Sequence, residues 1–472
     1  MPQGGPLSPL LFNVAINFIY NEICDSSFAS SYGYCLTEYL EPVCLTGFAD
    51  DQAITARDVQ SAVRVIEATK DLLLSIGLEI NASKSTAIVV EKGELVQSNL
   101  ELNNEEVICS ISQNESIKYL GCTFNNLLIF NKDSLLPFSK NLEKLAKSPL
   151  LKPYQKLNII NQYIFPTLIY PLQTAPLTKI PMYILEGLDV IIRRTVKDII
   201  GLPDRTSTAM FYAPRKLRGL GLLNCQWEAP LQHISIALKI RNYDDPRFLH
   251  VFNFEEEVRE SVSRLNLPEN KKTPLINSVQ LRRELRQHSY EEWASLSWQG
   301  IGVMHFEECK FANNFMVDKI HLSSSEWTSI LKLNVNYANL RGVPGNNLEK
   351  NGSSLCRRCS KETETPSHVL GSCPFNSLLI TRRHHKIKHI ITGLLQKKRF
   401  DCYEEVHAID SNGLNRFADI LVFPNNTKEA YILDPTIRYE NNKTDQALLV
   451  DQEKKDIYEA CIPFYKEKYA GK

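Results

Sequence analysis

The spacing Cys356-x2-Cys359-x8-His368-x4-Cys373 constrains this 472-residue chain more than any other stretch. Three thiolates and one imidazole complete a tetrahedral zinc shell and leave no open position, so the expected role is structural. The loop that holds them follows Gly342 and Gly345. Twelve cysteines without a secretory signal read as reduced thiols, with metal binding where spacing permits. No long apolar run is present, and the expectation is a soluble intracellular protein with no membrane contact.

A chain of 472 residues exceeds one ordinary domain, and its 43% hydrophobic and 23% charged residues allow each part to bury a core. The formal net charge is zero, which excludes a uniformly basic nucleic-acid coat and confines phosphate binding to local patches. One patch runs from Thr381 to Arg399, with Arg382, Arg383, His384, His385, Lys386 and Lys388 and no acid. Zinc at the preceding cluster would stiffen its base, so Arg382, Arg383, His384 and His385 are expected to meet a phosphate backbone. A second cluster, Lys140, Lys144, Lys147, Lys152 and Lys156, is diluted by Glu143.

Leu10–Ile23 is apolar nearly all round and predicts a buried helix. Val43–Phe48 and Gln52–Thr55 predict strands on either side of Ala49-Asp50-Asp51, a hairpin with acids at its tip. Asp58 is placed to cap a helix ending before Gly77, and Ile117–Phe124 predicts a strand. From about Leu135 to Ile200 the pattern is helical and broken by prolines. Beyond Cys225 charged helices alternate with loops, and Trp293, Trp298 and Trp327 are expected to anchor small cores. From Tyr403 to Lys472 the order reads helix, strand, turn, strand, helix.

Nucleotidyl transfer uses two divalent cations, and hard carboxylates suit magnesium. Asp50 and Asp51 fit that need, with Asp50 as the metal ligand and Asp51 in support. Upstream stands Pro2-Gln3-Gly4-Gly5-Pro6-Leu7-Ser8-Pro9, where glycines let backbone approach a nucleotide closely. Gln-Gly-x-Pro-Leu-Ser-Pro followed by Phe-Ala-Asp-Asp resembles two successive blocks of a reverse transcriptase palm. Gly77–Asn81 with Lys84-Ser85 resembles the next block, and Tyr119-Leu120-Gly121 the primer grip after it. The resemblance implies that Gln3, Gly4 and Lys84 contact nucleic acid. Gly5 stands where the family usually has aspartate. The block with the remaining catalytic aspartate precedes the Gln-Gly loop in that family, so the two-metal site is expected to be incomplete and copying poor.

Gly201-Leu202-Pro203, Phe211-Tyr212-Ala213-Pro214, Gly219-Leu220-Gly221-Leu222 and Trp298-Gln299-Gly300-Ile301-Gly302 resemble the thumb and linker of R2-type non-LTR retrotransposons. The order of Cys/His cluster and Arg-Arg-His-His resembles the same group. Downstream, Asp419 begins an expected strand, Ile420–Phe423, that turns at Pro424-Asn425-Asn426 and returns as Ala430–Leu433 to Asp434. Two acids on adjacent strands could share magnesium, with Lys454 or Lys455 stabilising developing charge. This resembles the restriction-like endonuclease of R2 elements, with Ala418 in place of the usual proline.

The fold expected is multidomain α+β. Its parts are a partial reverse transcriptase palm (1–125), a helical thumb (126–225), a mainly helical linker (226–350), a CCHC zinc knuckle with its basic stretch (351–400) and an α/β restriction-like endonuclease (401–472). The implied function is target-primed reverse transcription in the nucleus, on element RNA and chromosomal DNA with dNTPs, magnesium at both catalytic sites and structural zinc. No small-molecule cofactor is expected. The alternative is a non-catalytic nucleic-acid-binding remnant of such an element.

Overall fold

The computed structural model describes residues 7–103, 105–113, 115–124, 136–243, 245–247, 253–265, 277–308, 310–317, 322–344, 352–425, 429–440 and 445–470. They form two compact units, Met1–Thr195 with Leu223–Leu285, and Val196–Leu222 with Arg286–Lys472. Among the described residues no helix is long and apolar enough to cross a membrane.

In the first unit the helix Ser8–Ile23 starts on Pro9, whose missing N–H costs nothing at a helix start. It buries Ile16, Ile19 and Ile23 against Cys44, Leu45, Val65 and Leu73. Burial is one-sided, contrary to the all-round apolar reading. Leu10, Leu11 and Val14 are exposed, because packing uses only the stripe at helical spacing.

The expected hairpin is present as Leu45–Phe48 and Asp51–Ile54. Phe48 pairs with Asp51, so the turn residues are Ala49 and Asp50, and Ala49 takes the left-handed φ of 55°. Asp58 caps the helix Val59–Ser75 by accepting the Ser61 N–H at 2.7 Å, and Gly77 with φ 77° follows its end.

The single strand expected at 117–124 is instead a hairpin, Ile117–Tyr119 with Cys122–Phe124. Leu120 and Gly121 have φ of 46° and 80°, the two positive values that a tight I′ turn requires. Tyr170 Oη, from the helix Pro166–Thr174, donates to Leu120 O at 2.6 Å and holds that turn. The helical region comprises Leu136–Lys147, Pro153–Ile159, a π-type turn at Ile160–Ile164, Pro166–Thr174 and Met182–Ile200. Pro153 opens its helix, whereas Pro166 follows directly on the π-type turn and Pro171 lies inside the helix Pro166–Thr174.

In the second unit Trp293 and Trp327 are buried as expected, and the helix Ser324–Asn334 opens with a Ser323/Glu326 capping box. The C-terminal region is an antiparallel sheet in the order Asp401–Ile409, Asn415–Phe423, Tyr431–Leu433, followed by helices Gln446–Glu459 and Ile462–Lys468. The segment near Tyr403 read as helix is therefore a strand. Its apolar residues obey period two: Val406 and Ala408 enter the core with Ala418, Leu421, Cys461 and Tyr465. The central strand also starts earlier than expected, at Asn415, which puts Asp419 in mid-strand.

Candidate metal and catalytic sites

The first acid pair lies on the Leu45–Ile54 hairpin. Both Asp50 and Asp51 are exposed. Asp50 is in the turn and Asp51 is in the paired strand. Gly47 has no side chain for a reason: a Cβ there would fall 1.9 Å from Tyr20 Oη of the first helix. Tyr119 lies close enough to Asp51 that its phenol is pushed up, first by burial and then by the Asp51 charge. The primer-grip-like hairpin and the Asp-Asp hairpin are thus neighbours. Lys84 is exposed at the end of a short turn capped by Asn81, whose side chain accepts the Lys84 N–H at 3.1 Å. Gln3 and Gly4 lie outside the described residues.

The four Cys/His side chains converge as their spacing predicts. Their ligand atoms lie within 4.8 Å of one another. A β-bridge between Leu355 and Thr363 and the bond from Cys356 N–H to Glu362 O at 2.8 Å fold the first loop, and Cys373 N–H to His368 O at 2.8 Å closes the second. Cys356, His368 and Cys373 are at most 3% exposed. His368 Nε2 is 3.2 Å from Cys359 Sγ, while its Nδ1 is 2.8 Å from Glu362 Oε2. That carboxylate fixes the ring with Nε2 turned inward, the usual support for a metal-bound imidazole. Burial pushes the Cys356 thiol up, but the N–H groups of Cys359 and Arg358, and His368, bring it down to about 6. Three thiols and one imidazole around one point fit zinc.

The second carboxylate pair is built by the C-terminal sheet. Ile420 pairs with Leu433, so one step along the register sets Asp419 across from Asp434. Lys454 and Tyr458, one helical turn apart on Gln446–Glu459, both reach Asp434: Nζ lies 2.7 Å and Oη 2.8 Å from the same Oδ2. Lys455 turns the other way and pairs with Asp451 at 2.7 Å on the exposed face. The geometry thus separates two lysines that the sequence leaves equivalent.

Asp419 is raised from its ordinary value by burial and by the Asp434 charge, against the pull of His384. Asp434 moves the opposite way, because bonds from Lys454 and Tyr458 outweigh its burial. The Tyr458 phenol is pushed far up by burial and by its bond to Asp434.

The basic stretch is the helix Ser377–Lys397, and much of its charge turns inward. His384 Nε2 lies 3.1 Å from Asp419 Oδ2 and 3.3 Å from Oδ1. Arg383 donates to Leu370 O at 2.9 Å, and His385 is 3.9 Å from Glu405. Lys388, 1% exposed, bonds Glu405. Arg382 and Lys386 remain on the exposed side. Sequence reasoning missed Lys388, Glu404 and Glu405 as partners; the every-second-residue spacing of Val406 and Ala408 was the available signal for the strand that brings them there.

Residues 1–124 match the family model "Reverse transcriptase (RNA-dependent DNA polymerase)". A Pol polyprotein from the type-1 retrotransposable element R2 of Popillia japonica is 24% identical over 403 residues, 83% of this chain and 79% of that protein. The type-2 element R2DM polyprotein of Drosophila melanogaster is 24% identical over 94% of this chain, which spans 41% of its length. An R2 polyprotein of Nasonia vitripennis is 25% identical over 88% of the chain and 38% of its own length. The similarity runs through both compact units rather than stopping at residue 124. Over most of its length the chain is thus similar to the R2-type polyproteins of retrotransposable elements, and its residues 1–124 match the reverse transcriptase family.

Proposed function

We propose that this chain serves target-primed reverse transcription: its C-terminal sheet nicks chromosomal DNA in the nucleus, and the freed 3′-hydroxyl primes copying of element RNA from dNTPs at the Asp50–Asp51 hairpin. The observation that carries the nicking half is the cross-strand pair Asp419 and Asp434 with Lys454 at 2.7 Å. Asp419 and Asp434 would hold magnesium, which supplies charge neutralisation and an acidified water. Lys454 keeps Asp434 ionised and presents a cation where a phosphodiester's negative charge grows. Tyr458 fixes the same oxygen, so Asp434 is oriented before substrate arrives. On the copying side, Asp50 is the proposed magnesium ligand and Asp51 its neighbour, with Gln3, Gly4 and Lys84 toward nucleic acid.

The proposed layout keeps the palm, thumb, linker, zinc knuckle and nuclease in the order expected from sequence. Zinc on Cys356, Cys359, His368 and Cys373 is structural in this reading, bracing the base of the basic helix, whose Arg382 and Arg383 are assigned to DNA. Nicking of supercoiled DNA with magnesium tests the proposal. Wild type is expected to convert it to open circles and Asp434→Ala not to. Equal nicking by the two would leave the rival reading, nucleic-acid binding without cleavage.

A further inference from the structure

His384 stands in a run of basic residues that looks made for phosphate, yet its ring points at a carboxylate. Nε2 is 3.1 and 3.3 Å from the two oxygens of Asp419, and the two side chains are 30% and 15% exposed. A carboxylate only accepts, so the imidazole is the donor in this contact.

The helix that carries His384 is pinned in register over the sheet. Lys388, one turn on, is buried and bonds Glu405, and His389 Nδ1 meets Glu404 at 2.8 Å. Residues four apart share a helix face, so the Lys388 contact turns the face of His384 toward the same strands. In the ladder, Glu404 pairs with Ile420 and Val406 with Ala418, which leaves Glu405 opposite Asp419 with a left-handed φ of 51°. Lys388 thus grips the residue directly across from Asp419.

The two acids of the pair also have complementary supports. Asp434 is oriented by Lys454 and Tyr458 from one helix. Asp419 faces a like charge across the strands, and the donor that meets it comes from the other helix.

We propose that His384 is a positioning residue of the nuclease site, holding Asp419 aimed at the metal position opposite Asp434, rather than a contact to the DNA backbone. The inference rests on the nuclease reading of Asp419 and Asp434. Without the imidazole, repulsion from Asp434 rotates the Asp419 carboxylate away, and metal affinity falls while the DNA-binding surface is untouched.

The test uses the full chain with Mn2+ as probe. Bound Mn2+ is read by electron paramagnetic resonance, DNA affinity by filter binding in EDTA, and nicking against metal concentration. His384→Ala is expected to weaken Mn2+ binding and raise the metal needed for half-maximal nicking by about tenfold, the usual loss for a group supporting a metal ligand. Its DNA affinity in EDTA stays within about twofold of wild type, whereas Arg382→Ala lowers it. His384→Gln keeps an N–H donor and recovers part of the metal affinity, which guards against simple misfolding of the alanine variant. The proposal is overturned if His384→Ala binds Mn2+ like wild type while Asp434→Ala is inactive; the nuclease reading then stands without it. It is likewise overturned if His384→Ala loses DNA affinity in EDTA with unchanged metal dependence. If Asp434→Ala nicks as well as wild type, the nuclease reading fails and the inference with it.

Discussion

The chain carries two pairs of aspartates on antiparallel strands, and they sit in opposite surroundings. Asp50 and Asp51 are sequence neighbours at an exposed hairpin tip. Asp419 and Asp434 come from two neighbouring strands, are 15% and 10% exposed, and are braced by side chains of two helices. A carboxylate in water needs no partner, whereas a buried one must find donors or lose its charge. The difference teaches that the tip pair is presented in the open by a hairpin turn, while the sheet pair is an assembled object whose parts depend on one another.

That contrast can be broken in order of expected effect. Asp434→Ala removes a proposed metal ligand worth several kcal/mol, so nicking of supercoiled DNA should fall about a thousandfold, while binding of DNA in EDTA persists. Lys454→Ala should lower the nicking rate by about a hundredfold, as expected for loss of one charge-stabilising donor, and Lys455→Ala by no more than about twofold. A similar loss for both lysines would mean that the observed pairing of Lys454 does not decide the chemistry.

The stability comparison is sharper still, because it requires no activity. Asp434→Asn takes the charge from a carboxylate that Lys454 and Tyr458 share, and should cost about 1–3 kcal/mol in urea unfolding of the second unit. Asp50→Asn, on an exposed tip, should change stability by no more than about 0.5 kcal/mol. Equal costs would show that burial does not separate the pairs. Chelation of the proposed zinc should loosen the loops around Cys356 to Cys373, and circular dichroism with metal release followed by a colorimetric chelate reporter would measure both together.

Much of the local architecture was legible because it depends on neighbours along the chain. The Asp58 cap and the helix at Ser8 with Pro9 in its first turn each follow from one residue's own chemistry, an acceptor for a free helix N–H and a fixed φ. Two failures share a cause. Leu120 offers no turn signal to the eye, yet with Gly121 it reverses the chain, and its carbonyl is held by Tyr170 from a helix far along the sequence. The strand Asp401–Ile409 carries enough charge to read as a helix until its partner strand supplies the pairing. In both, the deciding contact is non-local, and local propensity cannot contain it.

What the sequence alone determined are sets marked by residue type and spacing: the Cys/His quartet, whose spacing allows few other arrangements, the Asp50–Asp51 hairpin, and the acids Asp419 and Asp434 on neighbouring strands. Tertiary structure decided the rest of the chemistry. It turned Lys454 toward Asp434 and Lys455 toward solvent, although the two are adjacent, because the direction of a helical side chain relative to a sheet is set by packing. It also turned His384 from an expected phosphate contact to Asp419, since a basic helix buries those charges for which the opposing strand provides acids, and leaves Arg382 and Lys386 to the water.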